Sequence, residues 1–207
     1  MFGRLRLEEE VEVNLGDEKI RVERKDGSFL YVRGEREVEI IGEELNILPA
    51  PAKGYGVKLM MIRLDRPVAV SPGKRVEGFL SVPIEVSVRV GDVEIDRFSV
   101  GREKYALYGT LESGVIVRYA RARLESEAKA VGNVKVLIEN SGSSWGLVER
   151  IVFPLLNVMY YSREKAFYPL IRVRINKGVD VINTGEPPMK GLEVVGERKE
   201  IAFKMRW

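Results

Sequence analysis

The chain has 207 residues, 45% hydrophobic and 31% charged, and contains no Cys, no His and no Gln. This excludes a Ser-His-Asp triad, a Cys-His pair, zinc sites of thiolates and imidazoles, iron–sulfur clusters and disulfides. Only carboxylate, Lys, Tyr or hydroxyl chemistry remains, or binding without chemistry. The net charge is +3, too small to imply nucleic-acid binding unless concentrated on one face. Residues 1–101 carry 16 basic and 19 acidic side chains, and 102–207 carry 18 and 12, so the halves differ in sign. Abundant Glu, Lys and Arg with no Gln or Cys match a thermophile composition. The first residues lack the apolar core of a signal peptide, and no stretch reaches the roughly 18 apolar residues of a membrane span. These features predict a soluble cytoplasmic protein.

Period-2 alternation runs through most of the chain, and Val alone accounts for 28 residues, so strand formers set the local preference. In chain order, strands are predicted near 10–15, 36–41, 57–64, 76–82, 103–109, 115–119, 169–175 and 200–205. Asp26-Gly27 suits a two-residue turn that places Val22 opposite Tyr31 and Ile20 opposite Arg33. The stretch Leu48-Pro49-Ala50-Pro51-Ala52-Lys53-Gly54-Tyr55-Gly56 is the most loop-like. Gly91-Asp92 predicts a hairpin with Val90 against Val93, Val88 against Ile95 and Arg89 against Glu94. Around Gly132, parity favours a three-residue loop, Val131-Gly132-Asn133, with Ala130 against Val134 and Ala128 against Val136. That register gives an inner face of Ala120, Ala122, Leu124, Ser126, Ala128 and Ala130. Leu147 to Met159 has helical spacing, but Pro154 inside it predicts a strand leading into a bent connection.

The fold class expected is all-β, an antiparallel β-sandwich or two packed sandwich subdomains, with little or no helix. A boundary near Gly101 divides the chain into 1–101 and 102–207, with one large β domain as the alternative. The opening Phe2-Gly3, the run Gly27-Ser28-Phe29-Leu30-Tyr31-Val32-Arg33, Leu48-Pro49-Ala50-Pro51 and Ile138-Glu139-Asn140-Ser141 together resemble a small archaeal family known only as a domain of unknown function. The likeness spans the whole chain. It implies an archaeal source and carries no activity or catalytic residue.

Gly142-Ser143-Ser144-Trp145-Gly146 matches G-x-S-x-G, but that motif needs a His base and a following helix. A Gly/Ser turn with Trp145 anchored on a core edge is the better reading. Acidic groups such as Asp92, Glu94 and Asp96, or Glu35, Glu37 and Glu39, share strand faces at a spacing that suits glycoside hydrolysis. That spacing holds for any two residues two apart on a strand, so solvated faces paired to Arg or Lys are the better reading. No catalytic residue, metal ligand or cofactor is assigned. Trp145, Phe153, Tyr160, Tyr161, Phe167 and Tyr168 concentrate aromatics ahead of Arg172 and Arg174. Adjacent aromatics on a strand point to opposite faces, so Trp145, Tyr160, Tyr161, Tyr168, Arg172 and Arg174 are candidates for ligand or partner binding. Burial of both faces, by a second sheet and a neighbouring subunit or domain, is the better reading, because large aromatics usually serve cores and interfaces. Arg121 and Arg123 precede Glu125 and Glu127 on one face, which favours cross-strand ion pairs over a phosphate track. The terminal alternation through Phe203, Met205 and Trp207 predicts an ordered end that closes either the core or a homodimer contact. The leading functional reading is a non-enzymatic binding or assembly protein, a homodimer. A carbohydrate-binding or glycan-active domain is second, with a protein or glycan ligand, and nucleic acid ranks last.

Overall fold

The structure, a computed structural model, describes every residue except 9, 55, 197–200 and 206–207. Among the described residues it is all strand, with no helix. A first antiparallel sheet runs in the order β1 (Gly3–Arg6), β6 (Glu44–Ala50), β9 (Ile84–Val90) and β10 (Val93–Val100). A meander of β2 (Val11–Leu15), β3 (Glu18–Lys25), β4 (Ser28–Arg33) and β5 (Arg36–Ile40) forms a second. The third contains β11 (Tyr105–Tyr108), β12 (Val115–Ala122), β7 (Leu59–Val70) and β14 (Gly146–Pro154). The largest runs β19 (Glu193–Val195), β15 (Met159–Tyr161), β16 (Ala166–Phe167), β13 (Gly132–Asn140), β17 (Ile171–Ile175), β18 (Val179–Asn183) and β20 (Ile201–Lys204), and β8 (Arg75–Ser81) pairs with β13 on its other edge. Most pairs are antiparallel; β12 with β7, and β13 with β16 and β17, are parallel.

One apolar cluster runs from Phe2 to Met205 and draws on all four sheets. Pairing also crosses residue 101, since β7 joins β12 and β14, and β8 joins β13. No helix is long and apolar enough to cross a membrane among the described residues.

Turn chemistry explains which hairpins follow the sequence. Asp26 and Gly27 both have positive φ, 24° and 91°, as a two-residue hairpin turn of this kind requires, and Val22 faces Tyr31. At Gly91-Asp92, Val90 faces Val93 and Arg89 faces Glu94 as expected, but a bulge at Ile95 brings Asp96, not Ile95, opposite Val88. The expected shared face of Asp92, Glu94 and Asp96 is therefore broken, and Asp96 is turned inward. The Leu48–Ala50 part of the expected loop is strand, with Leu48 opposite Ser87 and Ala50 opposite Glu85. Strand β1 ends opposite Ile47, so beyond it β6 has a free edge, where Pro49 forfeits no ladder bond.

The expected hairpin around Gly132 does not form. Gly132 begins β13, whose Val134 faces Leu80 and Val136 faces Gly78 on β8. A Cβ on Gly132 would lie 2.4 Å from the Val82 carbonyl oxygen and 2.6 Å from Ile84 Cγ2, so this glycine serves a close crossing rather than a turn. Strand β12 ends at Ala122, and 124–131 leave the sheet apart from one bridge between Glu125 and Phe79. Arg121 on β12 makes a cross-strand ion pair with Asp65 on β7 at 3.0 Å, and Lys129 bonds Glu125 within its own segment at 3.0 Å. The stretch from Leu147 forms strand up to Pro154 and then bends, as its proline predicts.

Candidate functional site

Of the aromatics singled out, Tyr160, Tyr161 and Tyr168 are buried within the chain, the first two on opposite faces of β15 and Tyr168 just after β16. Short strands β15 and β16 lie between the main core and a satellite cluster of Leu156, Val158, Tyr160 and Phe167, so the same chain covers both ring directions. Each phenol is engaged. Tyr160 donates to the Gly185 carbonyl at 2.5 Å, Tyr161 to Glu193 at 2.8 Å, and Tyr168 to the Pro83 carbonyl at 2.9 Å while accepting from the Ala52 amide. Burial, with the Glu193 carboxylate beside it, pushes the Tyr161 phenol up to about 12; burial also pushes Tyr168 well above its ordinary value. Arg172 is half-buried beside Glu186 at 3.8 Å, and Arg174 is exposed. Trp207 lies outside the described residues.

Trp145 is not anchored on a core edge, because its side chain is 71% exposed. The turn around it is held instead by buried Asn140, whose Nδ2 donates to the carbonyls of Val70 and Ser144 at 2.7 and 2.9 Å and whose Oδ1 accepts from the Gly142 amide. Asn140 satisfies the turn's backbone groups, so nothing requires the indole. The turn leads into a strand, β14, not into the helix a nucleophile elbow needs.

The buried carboxylates are spoken for. Asp96 accepts from the Tyr31 hydroxyl at 2.7 Å and from Arg33 Nε at 2.7 Å, which ties the meander to the first sheet. Burial alone would raise the Asp96 pKa, but bonds from Arg33 and Tyr31 overcome it and hold the carboxyl below its ordinary value. Glu85 accepts from the Gly54 amide and from Arg97, each at 2.6 Å. No three acidic groups are placed to hold a metal ion among the described residues. Arg118, on the opposite face of β12 from Arg121, is wholly buried, with Nη1 donating to the Tyr105 hydroxyl at 2.9 Å.

What the described surface does offer is the β11–β12 hairpin. Strand β11 is an outer strand of its sheet, and its residues, Tyr105-Ala106-Leu107-Tyr108, include no charge and no proline. Leu107 and Ile116 face each other in register and both are exposed, Ile116 by 56%; Leu111 at the tip is 95% exposed. Sheet edges are normally blunted by Lys, Pro, bulges or a covering element, and β11 has none of these in its own sequence.

The chain belongs to the DUF432 family, a protein of unknown function, which it matches over residues 1–206. No curated protein and no solved structure matches it significantly. Family membership therefore brings no residue role to this DUF432 chain. Leu107, Leu111 and Ile116 escaped a reading directed at the aromatics. Their signal is the run from Tyr105 to Tyr108 without a charge, in a chain where nearly a third of residues are charged.

Proposed function

We propose that this protein works by association, as a non-enzymatic binding or assembly component of a thermophile, and that it forms a homodimer through the edge of β11. The observation that carries this is an outer strand without protective charge, flanked by the exposed side chains of Leu107, Leu111 and Ile116. Two copies of one edge strand can pair about a two-fold axis, since an antiparallel pairing of identical strands is self-complementary. The exposed apolar residues then gain a partner on each side. The division at Gly101 is best replaced by its alternative, a single large β domain, because strand pairs and one core join the two parts. Of the aromatics that suggest a glycan ligand, the glycan alternative keeps Trp145, exposed together with Leu147 two residues on.

Sedimentation velocity at micromolar concentration tests the proposal. Twice the chain mass is expected for the wild type, and the single-chain mass for L107K with I116K, at unchanged circular dichroism. A wild-type monomer at high micromolar concentration, or a variant with undiminished mass, overturns it.

A further inference from the structure

A different face of the same sheet carries a row of arginines. Arg121 on β12 faces Arg63 on β7, and Arg63 faces Arg150 on β14. In-register partners project on the same side of a sheet, and neighbouring strands lie about 4.8 Å apart, so three guanidinium groups start within roughly 10 Å of one another. Like charges directly opposite destabilise a sheet, and the row is partly offset within the chain, by Asp65 on Arg121 and by the Tyr108 ring 5.9 Å from the Arg150 guanidinium. Between Val148 and Arg150 the pairing skips from Val68 to Arg63, so β7 bulges over 64–67 against Glu149 alone. The bulge leaves exposed Asp65 bonded to Arg121 at 3.0 Å. Bulges of this kind re-aim side chains beside functional sites.

The row borders a cavity. Arg63 and Arg150 line a space of about 400 Å³ together with Met61, Tyr119 and Glu149. Tyr119 and Arg121 also line an adjoining space of about 300 Å³, to which Arg102 and Lys104 contribute. Five cations thus border two cavities whose linings hold one carboxylate, Glu149, among the described residues. One row along the same face, Tyr119 and Met61 stand opposite each other and supply a half-exposed ring and a thioether beside the charges.

We propose that this face binds a phosphate-bearing ligand with a planar ring, a nucleotide unit, with the phosphate on the arginine row and the ring against Tyr119. Arginine forks suit phosphate, whose oxygens accept from several guanidiniums at once, where a carboxylate offers two. Tyrosine rings stack on bases without regard to sequence. The nucleotide unit is either free or part of a single strand. The site is separate from the β11 edge, so its success or failure leaves the oligomeric state untouched.

The test is binding of ATP by calorimetry and of a labelled oligothymidylate by anisotropy, at low and at physiological salt, with wild type, R63E and Y119L. Arg63 is exposed, so R63E is expected to fold with an unchanged or higher melting temperature and to lose about tenfold or more in affinity. Y119L should weaken ATP or oligonucleotide while sparing pyrophosphate. ATP bound as tightly as the oligonucleotide identifies a free nucleotide. Tighter oligonucleotide binding that falls steeply with salt identifies a strand. Equal affinity of wild type and R63E, equal affinity for an acidic peptide, or no binding of either ligand below about 1 mM, overturns the proposal.

Discussion

Removing the Asp96 carboxylate should unlatch the meander from the first sheet. The side chain is 7% exposed, and it holds both a wholly buried Tyr31 hydroxyl and Arg33, whose side chain is 21% exposed. In D96A the Tyr31 hydroxyl loses its acceptor, a cost of about 1–3 kcal/mol for a buried polar group. Stranding one member of a buried ion pair costs about 3–5 kcal/mol, but Arg33 is partly solvated and retains Glu18 at 3.0 Å, so its share is well below that. The two together give about 2–4 kcal/mol. At about 2–4 °C per kcal/mol for a chain of this size, melting should fall by about 4–16 °C. D96N should cost a similar amount, because its amide turns a donor toward Arg33. The pH dependence has a definite sign. The folded carboxyl is held below its ordinary value of 3.8, so its contribution is complete above that value and is lost as pH falls through the lower folded one. The gap between wild type and D96N, read by circular dichroism melts, should be constant from neutral pH to about pH 5 and shrink below about pH 4. A D96A variant within 0.5 kcal/mol of wild type, or a gap that persists undiminished into strong acid, would refute the reasoning.

Gly132→Ala should destabilise by about 1–3 kcal/mol, because the new Cβ meets the Val82 carbonyl oxygen at 2.4 Å; a neutral outcome in urea unfolding would show that β13 can shift at this crossing. In an ultraviolet titration, Tyr161 should ionise only near pH 12 and Tyr161→Phe should remove that step. Since the folded phenol is raised, its share of stability is present below the ordinary value of 10.0 and declines as pH rises from there through the folded value. Arg63→Thr, which takes the middle charge from the row, should raise stability by a few tenths to about 1 kcal/mol at low salt, less as salt screens it; a loss of stability would mean that the row is held by the fold itself. Leu111→Glu should weaken association in sedimentation without altering the melt of the monomer, since its side chain is 95% exposed.

The local hairpins at Asp26-Gly27 and Gly91-Asp92, the absence of helix and the strand broken at Pro154 were legible in the sequence, because turn residues and period-2 alternation act between near neighbours. Composition alone excluded imidazole and thiolate chemistry. Tertiary structure decided what depends on distant segments meeting. Gly132 reads as a turn glycine until Val82 and Ile84 are seen lying across it. Ile95 reads as core until the bulge beside it sends Asp96 to Arg33 and Tyr31. The adjacent rings of Tyr160 and Tyr161 read as half exposed until β15 is found covered on both faces by the same chain. The row of Arg121, Arg63 and Arg150 has no trace in any one stretch of sequence, because it exists only through a parallel pairing on one side of β7 and an antiparallel pairing on the other. Alternation tells which residues share a strand face; which strands stand side by side is set by long-range pairing, whose partners no local pattern names.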